Sequence, residues 1–249
     1  MSEKIYILSP HIDDAAYGLT LSISKFINCN IPVTIINCFT VTKWTIKFVS
    51  KETSVISALR KKEDAAYKNL FNDKLNIVNL DILDAPLRNG YIFKFKPLEP
   101  AEWEIVDEIK KYLLENIDGI LLCPLAVGDH IDHVICREAV IHLYNKMKVL
   151  FFEDLPYTQR ISDEQLKKHI EQLEEQMQVK LVNNINRIEE ASVNKERAIR
   201  VYKTQLNDEI CSEIMAHMKV LQGERVWGEE KVFERLNGVA QSTERRIPK

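Results

Sequence analysis

Short apolar runs rich in β-branched residues alternate with longer helical patterns through the first 155 residues, and this alternation constrains the fold most strongly. The runs occupy residues 5–8, 33–39, 75–80, 119–125 and 149–153. Apolar residues at three- and four-residue spacing between the runs predict helices. These helices cover residues 14–27, 55–71, 102–115 and 133–147. The sequence therefore predicts an α/β fold in which helices wrap a parallel sheet.

The last third of the chain has a different pattern. Charged helical segments follow residue 157, at 163–181, 188–205 and 208–220. No linker, internal repeat or low-complexity tract separates them from the preceding part. We therefore expect a single domain over residues 1–249, with an α/β core at 1–157 and a helical part at 158–249 that packs on it. These charged helices also offer contacts for a homo-oligomer.

Composition excludes several classes of function. The net charge of the 249 residues is −3, and no broad basic patch favours nucleic acid as a partner. No stretch approaches the roughly 18 apolar residues of a membrane span, and the first residues lead into a strand rather than a signal peptide. The five cysteines form no CxxC pair and lie mostly in apolar segments. We therefore expect a cytoplasmic protein.

Two clusters of histidine and aspartate lie far apart in the sequence, each at a point where a predicted strand gives way to a helix. The first is Ser9-Pro10-His11-Ile12-Asp13-Asp14, and the second is Gly128-Asp129-His130-Ile131-Asp132-His133. Open α/β sheets bind ligands at the carboxyl ends of their strands. The two clusters are therefore expected to meet at one edge of the sheet.

These residue types suit a divalent metal. Zinc takes imidazole nitrogen and carboxylate oxygen, and a catalytic site uses three protein ligands while leaving a position for water. His11, Asp14 and His133 supply such a set, which leaves Asp13 and His130 for proton transfer. Either cluster alone is also explained by an aspartate that caps the following helix. Because both clusters follow strands of one sheet, a metal-assisted hydrolase is the better interpretation.

The two motifs resemble those of the PIG-L/LmbE-like N-acetylglucosaminyl deacetylase family, which has Pro-His-x-Asp-Asp near the N-terminus and His-x-x-His further on. The resemblance covers residues 5–157. It implies a Rossmann-like, doubly wound, mostly parallel sheet in three α/β/α layers, without a nucleotide. It also implies zinc as the usual metal, although a site of two histidines and one aspartate suits Fe²⁺ as well.

The resemblance also implies roles for individual residues. His11, Asp14 and His133 would be the metal ligands. Asp13 would be the general base that deprotonates a metal-bound water, and His130 would be the partner of the oxyanion or the leaving group. Asp132 stands next to His130 and is expected to hold its tautomer or raise its pKa.

Substrate contacts are less strongly indicated. Arg60 belongs to a segment similar to the Arg-x-x-Glu helix of the family, although an Arg-Glu pair on a helix is by default a surface ion pair. Two long segments, 41–54 and 81–101, are expected to form loops at the rim of the site. Their candidate sugar contacts are Trp44, Asp84, Arg88 and Asn89, and Asp154 and Tyr157 after the last strand are further candidates. Asp84 is equally explained as the cap of a turn, and Trp44 as a core residue.

The motifs depart from the commonest pattern of the family at positions that are neither ligands nor the base. Ile12, Ala15 and Ile131 replace proline, glutamate and proline. This form resembles the branch that acts on glycosylated secondary metabolites, so the expected substrate is a small glycoside that contains N-acetylglucosamine. The alternatives are a deacylase of a non-sugar or longer-chain amide and an inactive binding protein. A nucleotide-binding oxidoreductase is disfavoured because the first strand-helix turn lacks a glycine-rich phosphate loop.

Overall fold

A seven-stranded, mostly parallel sheet forms the centre of the computed structural model, which describes residues 3–47, 50, 52–72, 74–88, 90, 93 and 97–244. The strand order is β3-β2-β1-β4-β5-β7-β6. The five parallel strands are β1 (Ile5–Ser9), β2 (Val33–Asn37), β3 (Leu75–Asn79), β4 (Ile120–Pro124) and β5 (Lys148–Phe152). Strands β7 (Gly223–Gly228) and β6 (Val182–Arg187) complete one edge in antiparallel pairing.

Helices cover both faces of the sheet. They are α1 (Asp14–Asn28), α2 (Thr53–Asn69), α3 (Ala85–Arg88), α4 (Pro100–Asn116), α5 (Ile131–Ile141), α6 (Asp163–Met177), α7 (Lys195–Ile199), α8 (Asp208–Leu221) and α9 (Glu230–Glu244). Side chains of successive strand residues point to opposite faces, so Ile120 and Leu122 of β4 join one core while Leu121 and Cys123 join the other. The α/β fold with a doubly wound sheet is confirmed.

All five predicted strands are present, but the last third differs from the expectation. The helix predicted at 188–205 is wrong, because within that range the only α-helix is the short α7, and a single 3-10 turn covers Ile188–Glu190. Strands β6 and β7 were also not predicted. Strand β6 has one neighbour, β7, and Asn186 is its only fully buried residue. An edge strand of this kind lacks the apolar alternation from which strands are predicted.

A buried carboxylate attaches the C-terminal part to the core. Glu224 of β7 accepts hydrogen bonds from the backbone N–H groups of Leu21 (2.9 Å) and Ser22 (2.8 Å) in α1. Lys195 of α7 donates to the same carboxylate across 2.6 Å, and its side chain is also buried. A buried ion pair is tolerated when further hydrogen bonds stabilise its charges, and the Glu224 carboxylate also accepts one from the Ser22 hydroxyl across 2.9 Å. These contacts join β7, α7 and α1.

The chain order reverses between β1 and β4. The connection from β1 leads outward to β2 and β3, whereas β4 lies on the other side of β1 and leads to β5. Such a switch point opens a crevice at the carboxyl ends of the two strands. Both histidine clusters follow these strands directly, so the fold brings them together. Among the described residues, no helix is long and apolar enough to cross a membrane.

Candidate metal centre and active site

A cavity of about 890 Å³, counting the space at its opening, lies at this switch point. The cavity is lined by side chains of both sequence clusters: His11, Asp13, Asp14, His130 and His133. Arg60 of α2 and Asp84 also line it. A concave site lined by a few convergent polar groups is typical of small-molecule binding.

Two imidazoles converge on one carboxylate oxygen. Nδ1 of His11 and Nε2 of His133 each lie 3.2 Å from Oδ2 of Asp14. Neighbouring ligand atoms of a tetrahedral zinc site with bonds of 2.0–2.1 Å are separated by about 3.3 Å. A nitrogen of His130 joins the group, since donor atoms of the three histidines all lie within 4.8 Å of one another. This donor set fits a small divalent cation.

Carboxylates on the far side of the rings orient both imidazoles. Nε2 of His11 lies 2.9 Å from Oδ2 of Asp132, and Nδ1 of His133 lies 2.6 Å from Oδ1 of Asp154. If a cation binds, Asp132 and Asp154 would keep the protons on the nitrogens that face them, and the nitrogens that face Asp14 would be left as ligands. Metal-binding histidines in proteins are held by carboxylates in this way.

His130 is held by a backbone N–H group rather than by a carboxylate. Its Nδ1 accepts a hydrogen bond from the backbone N–H of Asp132 across 3.2 Å, which makes His130 the N-cap of α5. The neutral ring therefore carries its proton on Nε2. Burial lowers the pKa of His130 well below its usual value, and the neighbouring His11 and His133 lower it further. His130 is thus a neutral hydrogen-bond donor at the cavity, whereas His11 and His133 are suited to be ligands.

The electrostatics of the centre favour positive charge. Burial alone lowers the pKa of His11, but the hydrogen bonds to Asp132 and Asp14 outweigh it and raise that pKa to about 9. The pKa of His133 is raised well above its usual value, because Asp14 and Asp154 outweigh burial. The pKa of Asp14 lies well below its usual range, because the charges of His133 and His11 outweigh burial. The carboxylates of Asp14, Asp132 and Asp154 raise these pKa values because they create a negative electrostatic potential at the centre. The same potential would stabilise a bound cation.

Asp13 stands beside the donor set. It occupies the N-cap position of α1 but makes no side-chain capping hydrogen bond. Its Oδ1 accepts a hydrogen bond from Nη2 of Arg60 across 2.9 Å. Arg60 is 3% exposed, so this contact is a buried ion pair rather than the surface pair that a helical Arg-Glu spacing suggests by default. The structure places Arg60 against the candidate base as well as in the cavity wall.

The Asp132 carboxylate lies against His11 rather than His130. Besides His11, it accepts hydrogen bonds from the backbone N–H of Ala85 (3.0 Å) and from Nη2 of Arg88 (2.6 Å). The guanidinium of Arg88 also stacks over the ring of Phe39 at 4.8 Å. Neither Asp132 nor Arg88 lines the cavity. Arg88, expected at the substrate, therefore lies behind Asp132 and holds the carboxylate that orients His11.

The other substrate candidates lie in different surroundings. Asp84 lines the cavity, but its carboxylate accepts hydrogen bonds from the Thr42 hydroxyl and from the backbone N–H of Leu87 (3.2 Å). Burial raises the pKa of Asp84. Trp44 also lines the cavity, whereas Asn89 lies outside the described residues.

Asp154, a candidate sugar contact from the sequence, does not line the cavity and instead contacts His133 from behind. It is 2% exposed, and its Oδ2 accepts a hydrogen bond from the backbone N–H of Val127 across 3.1 Å. It therefore joins the loop after β4 to the loop after β5 while it orients His133. The sequence contains a signal for this role, because an aspartate directly after the fifth strand lies at the same sheet edge as both clusters.

Tyr157 and Tyr17 complete the wall near the histidines. The Tyr157 ring packs perpendicular to His133, with ring centres 6.1 Å apart. It also covers Gly128, whose φ of +87° favours glycine and where an added Cβ would lie 3.0 Å from that ring. Tyr17 lines the cavity and is 4% exposed, yet its hydroxyl has no hydrogen-bond partner among the described residues.

The fold and the site together define a doubly wound α/β protein with a two-histidine, one-aspartate donor set at the switch point of its sheet. Comparison with known proteins agrees with this class. The family model described as "PIG-L: GlcNAc-PI de-N-acetylase" matches residues 6–144, and the chain belongs to this family. The resemblance seen in the two motifs is thus confirmed.

Individual relatives are more distant. The 2'-N-acetylparomamine deacetylase of Streptomyces fradiae is 25% identical over 228 residues, which is 87% of this chain and 78% of that protein. The crystal structure of A40926 pseudoaglycone deacetylase Dbv21 matches with a TM-score of 0.67 and 20% identity, over 92% of this chain and 97% of that one. The zinc inhibited form of teicoplanin deacetylase Orf2 matches with a TM-score of 0.65 and 17% identity, over 90% and 97%. These structures share the fold of this chain.

Proposed function

We propose that this protein is a metal-dependent hydrolase that removes the N-acetyl group from an N-acetylglucosamine-type sugar in a small glycoside. The observation that carries this proposal is the approach of His11 Nδ1 and His133 Nε2 to Asp14 Oδ2, each at 3.2 Å, beside the carboxylate of Asp13. The three relatives named above are called deacetylases, and their names specify antibiotics or related glycosides. A glycosylated secondary metabolite is therefore the substrate class that we propose.

We assign His11, Asp14 and His133 as the metal ligands. Their chemistry suits zinc, and Fe²⁺ suits it as well. A divalent metal bound there would polarise the amide carbonyl and lower the pKa of a water molecule to about 7. The name of the zinc-inhibited relative supports a centre that responds to zinc.

Asp13 takes the role of general base. Arg60 holds its Oδ1, so the remaining carboxylate oxygen is left to accept a proton from the attacking water. General-base assistance of this kind contributes about 10²–10⁴-fold to the rate. The protonated Asp13 then returns this proton to the departing amine, whose nitrogen must gain one as the C–N bond breaks.

His130 stabilises the charge that develops on the carbonyl oxygen. Its Nδ1 is occupied by the Asp132 backbone N–H, so its Nε2–H is free to donate to that oxygen. A neutral ring donates such a hydrogen bond without transferring its proton, which is consistent with the lowered pKa of His130. Asp132 acts through His11, and Asp154 acts through His133, by fixing the tautomer of each ligand.

The cellular location is proposed from the state of the cysteines. None of the five cysteines, all of which the structure describes, forms a disulfide, and Cys38, Cys123 and Cys136 are fully buried close to one another. Reduced cysteines of this kind are typical of a reducing environment. This supports the cytoplasm as the location, as the composition of the sequence predicts.

The decisive experiment measures amine release from a panel of N-acetylglucosamine glycosides by the zinc-loaded protein and by a chelated sample. We expect release that stops on chelation and returns on adding metal. His133→Ala should lose both metal and activity. The control is His142→Ala, which should keep both because His142 lies at the end of α5 and does not line the cavity. Absence of release from every glycoside at one bound metal per chain would contradict the proposal, and faster release of a longer acyl group would favour the deacylase alternative.

A further inference from the structure

The cavity has two chemically different walls. Its inner wall consists of buried histidines and carboxylates, including His133, which is 1% exposed. The outer wall is apolar, with Trp44, Ile46 and Ile210 together with Leu155 and Pro156. Trp44 is 53% exposed and Ile46 is 38% exposed. Large apolar side chains that remain exposed beside a site are a usual mark of ligand binding.

The backbone that carries these exposed side chains is held in place. The Trp44 N–H donates to the Thr42 hydroxyl across 2.9 Å, and the Trp44 carbonyl accepts from Nε2 of Gln205 across 3.1 Å. The Ile46 N–H donates to the carbonyl of Thr204 across 2.9 Å. Residues 44–46 are thus fixed both to Thr42, in the loop that follows β2, and to residues 204–205 in the C-terminal part. Its apolar surface is preorganised, so little entropy is lost when a ligand covers it.

Among the lining residues that the structure describes, the outer wall contributes no carboxylate. The carboxylates that line the cavity, Asp13, Asp14 and Asp84, belong to its inner wall, and the oxygens of Asp84 are engaged by Thr42 and Leu87. The charged residue that the outer wall does contain is Arg160, which pairs with Glu213 across 2.7 Å. A substrate with several ammonium groups would meet an apolar surface and a guanidinium there. An apolar group would exchange water for contact with Trp44 and Ile46.

We infer that the substrate is amphiphilic, with its acetylated amino sugar against the histidines and an aromatic aglycone against Trp44, Ile46 and Ile210. This inference rests on the proposed function and specifies its substrate class. Aromatic rings pair favourably with tryptophan beyond the area that they bury. Because the aglycone takes no part in the bond changes, its contacts are the same in the ground state and the transition state and affect KM rather than kcat.

The test compares the methyl and phenyl glycosides of N-acetylglucosamine, which differ only in the aglycone. For the wild-type protein we expect a KM about tenfold lower for the phenyl glycoside, with similar kcat values. In Trp44→Ala the ratio of the two KM values should fall toward one. The matched control is Trp103→Ala, because Trp103 on α4 is 38% exposed, packs on His142 and does not line the cavity. This control should keep the wild-type ratio.

Binding of the deacetylated products separates this inference from the proposed function. Calorimetry with the methyl and phenyl glucosaminides requires no turnover, and we expect the phenyl compound to bind about tenfold more tightly. Equal affinities, or an unchanged ratio in Trp44→Ala, would overturn the aglycone site. Preferred turnover of an N-acetylated aminoglycoside over the phenyl glycoside would also overturn it while supporting the deacetylase. Loss of turnover with every glycoside would contradict the proposed function alone, provided that the products still bind with the expected ratio.

Discussion

Arg60 on α2 and Asp13 at the start of α1 form a buried ion pair, with Nη2 of Arg60 donating to Oδ1 of Asp13 across 2.9 Å. Removing one partner of a buried pair costs about 3–5 kcal/mol, because the other charge is left without compensation. We therefore expect Arg60→Gln to lower the free energy of unfolding by about that amount in a urea titration. Arg200→Gln is the control, since Arg200 is exposed and its pair with Glu196 contributes little. Equal effects of the two changes would show that the buried pair adds no stability.

Asp13→Asn tests the base without removing the partner of Arg60. The Asn side chain keeps an oxygen that can accept the Arg60 hydrogen bond, but it cannot take a proton from water. We expect metal content to stay at the wild-type level, as measured by elemental analysis, while kcat falls about 10²–10⁴-fold. Full activity in this variant would remove the general-base assignment.

Asp154→Asn tests the carboxylate behind His133. In the wild-type protein the Nδ1–H of His133 donates to Oδ1 of Asp154 across 2.6 Å. An Asn NH2 group turned toward the ring would favour the tautomer with its proton on Nε2, the nitrogen that is proposed to bind the metal. Loss of such a supporting contact typically lowers metal affinity about 10–100-fold. Competition with a chromophoric chelator measures this change. The control is Asp107→Asn, which should leave the metal affinity unaltered because Asp107 is an exposed residue of α4. An equal loss of metal affinity in this control would show that Asp154 does not act by orienting His133.

Asp64 makes stability depend on pH. Burial raises the pKa of this carboxyl to about 7, although Tyr202 and Asn37 donate hydrogen bonds to it at 3.0 and 2.7 Å. In the unfolded chain the pKa is about 3.9, so between about pH 4 and pH 7 the folded state binds more protons. The free energy of unfolding therefore contains a contribution that is present at low pH and is lost as pH rises through this window.

The size of this contribution is on the order of 4 kcal/mol. Asp64→Asn has no proton to bind, so we expect the difference in unfolding free energy between wild type and variant to favour wild type more at pH 5 than at pH 8. Denaturant titrations at the two values measure it. Asp118→Asn, in an exposed carboxylate bound to Lys4, should not reproduce that trend. A constant difference between wild type and Asp64→Asn across the range would refute the raised pKa.

Tyr17→Phe and Tyr202→Phe remove hydroxyl groups with different partners. The Tyr202 hydroxyl donates to the buried Asp64, so its loss should cost about 1–3 kcal/mol of unfolding free energy. The Tyr17 hydroxyl has no partner among the described residues, so its loss should leave stability unchanged. Burial raises the pKa of Tyr17 well above its usual value, which keeps this hydroxyl protonated as a donor at the cavity.

If substrate accepts that hydrogen bond, Tyr17→Phe lowers kcat/KM by up to about tenfold. Thermal unfolding and steady-state kinetics on the same two variants separate the effects. Unchanged kinetics in Tyr17→Phe would show that substrate does not use this hydroxyl.

The sequence by itself determined the five parallel strands and the position of both histidine clusters. Local periodicity suffices for this, because strands buried on both faces appear as continuous apolar runs and the clusters follow two of them directly. The general rule for the carboxyl ends of such strands then places His11 and His133 together without further information. For the same reason Asp14 was identified next to them.

Only the tertiary structure decided which partner each side chain of the site contacts. Asp132 is two residues from His130, yet its carboxylate binds His11, which is 121 residues away in sequence. Arg88 likewise acts on His11 through Asp132, a contact that no local pattern encodes. Strands β6 and β7 belong to the same category, because the pairing of a polar edge strand depends on a neighbour distant in sequence. Local periodicity reports the burial of a segment, whereas hydrogen-bond partners depend on how segments distant in sequence meet in space.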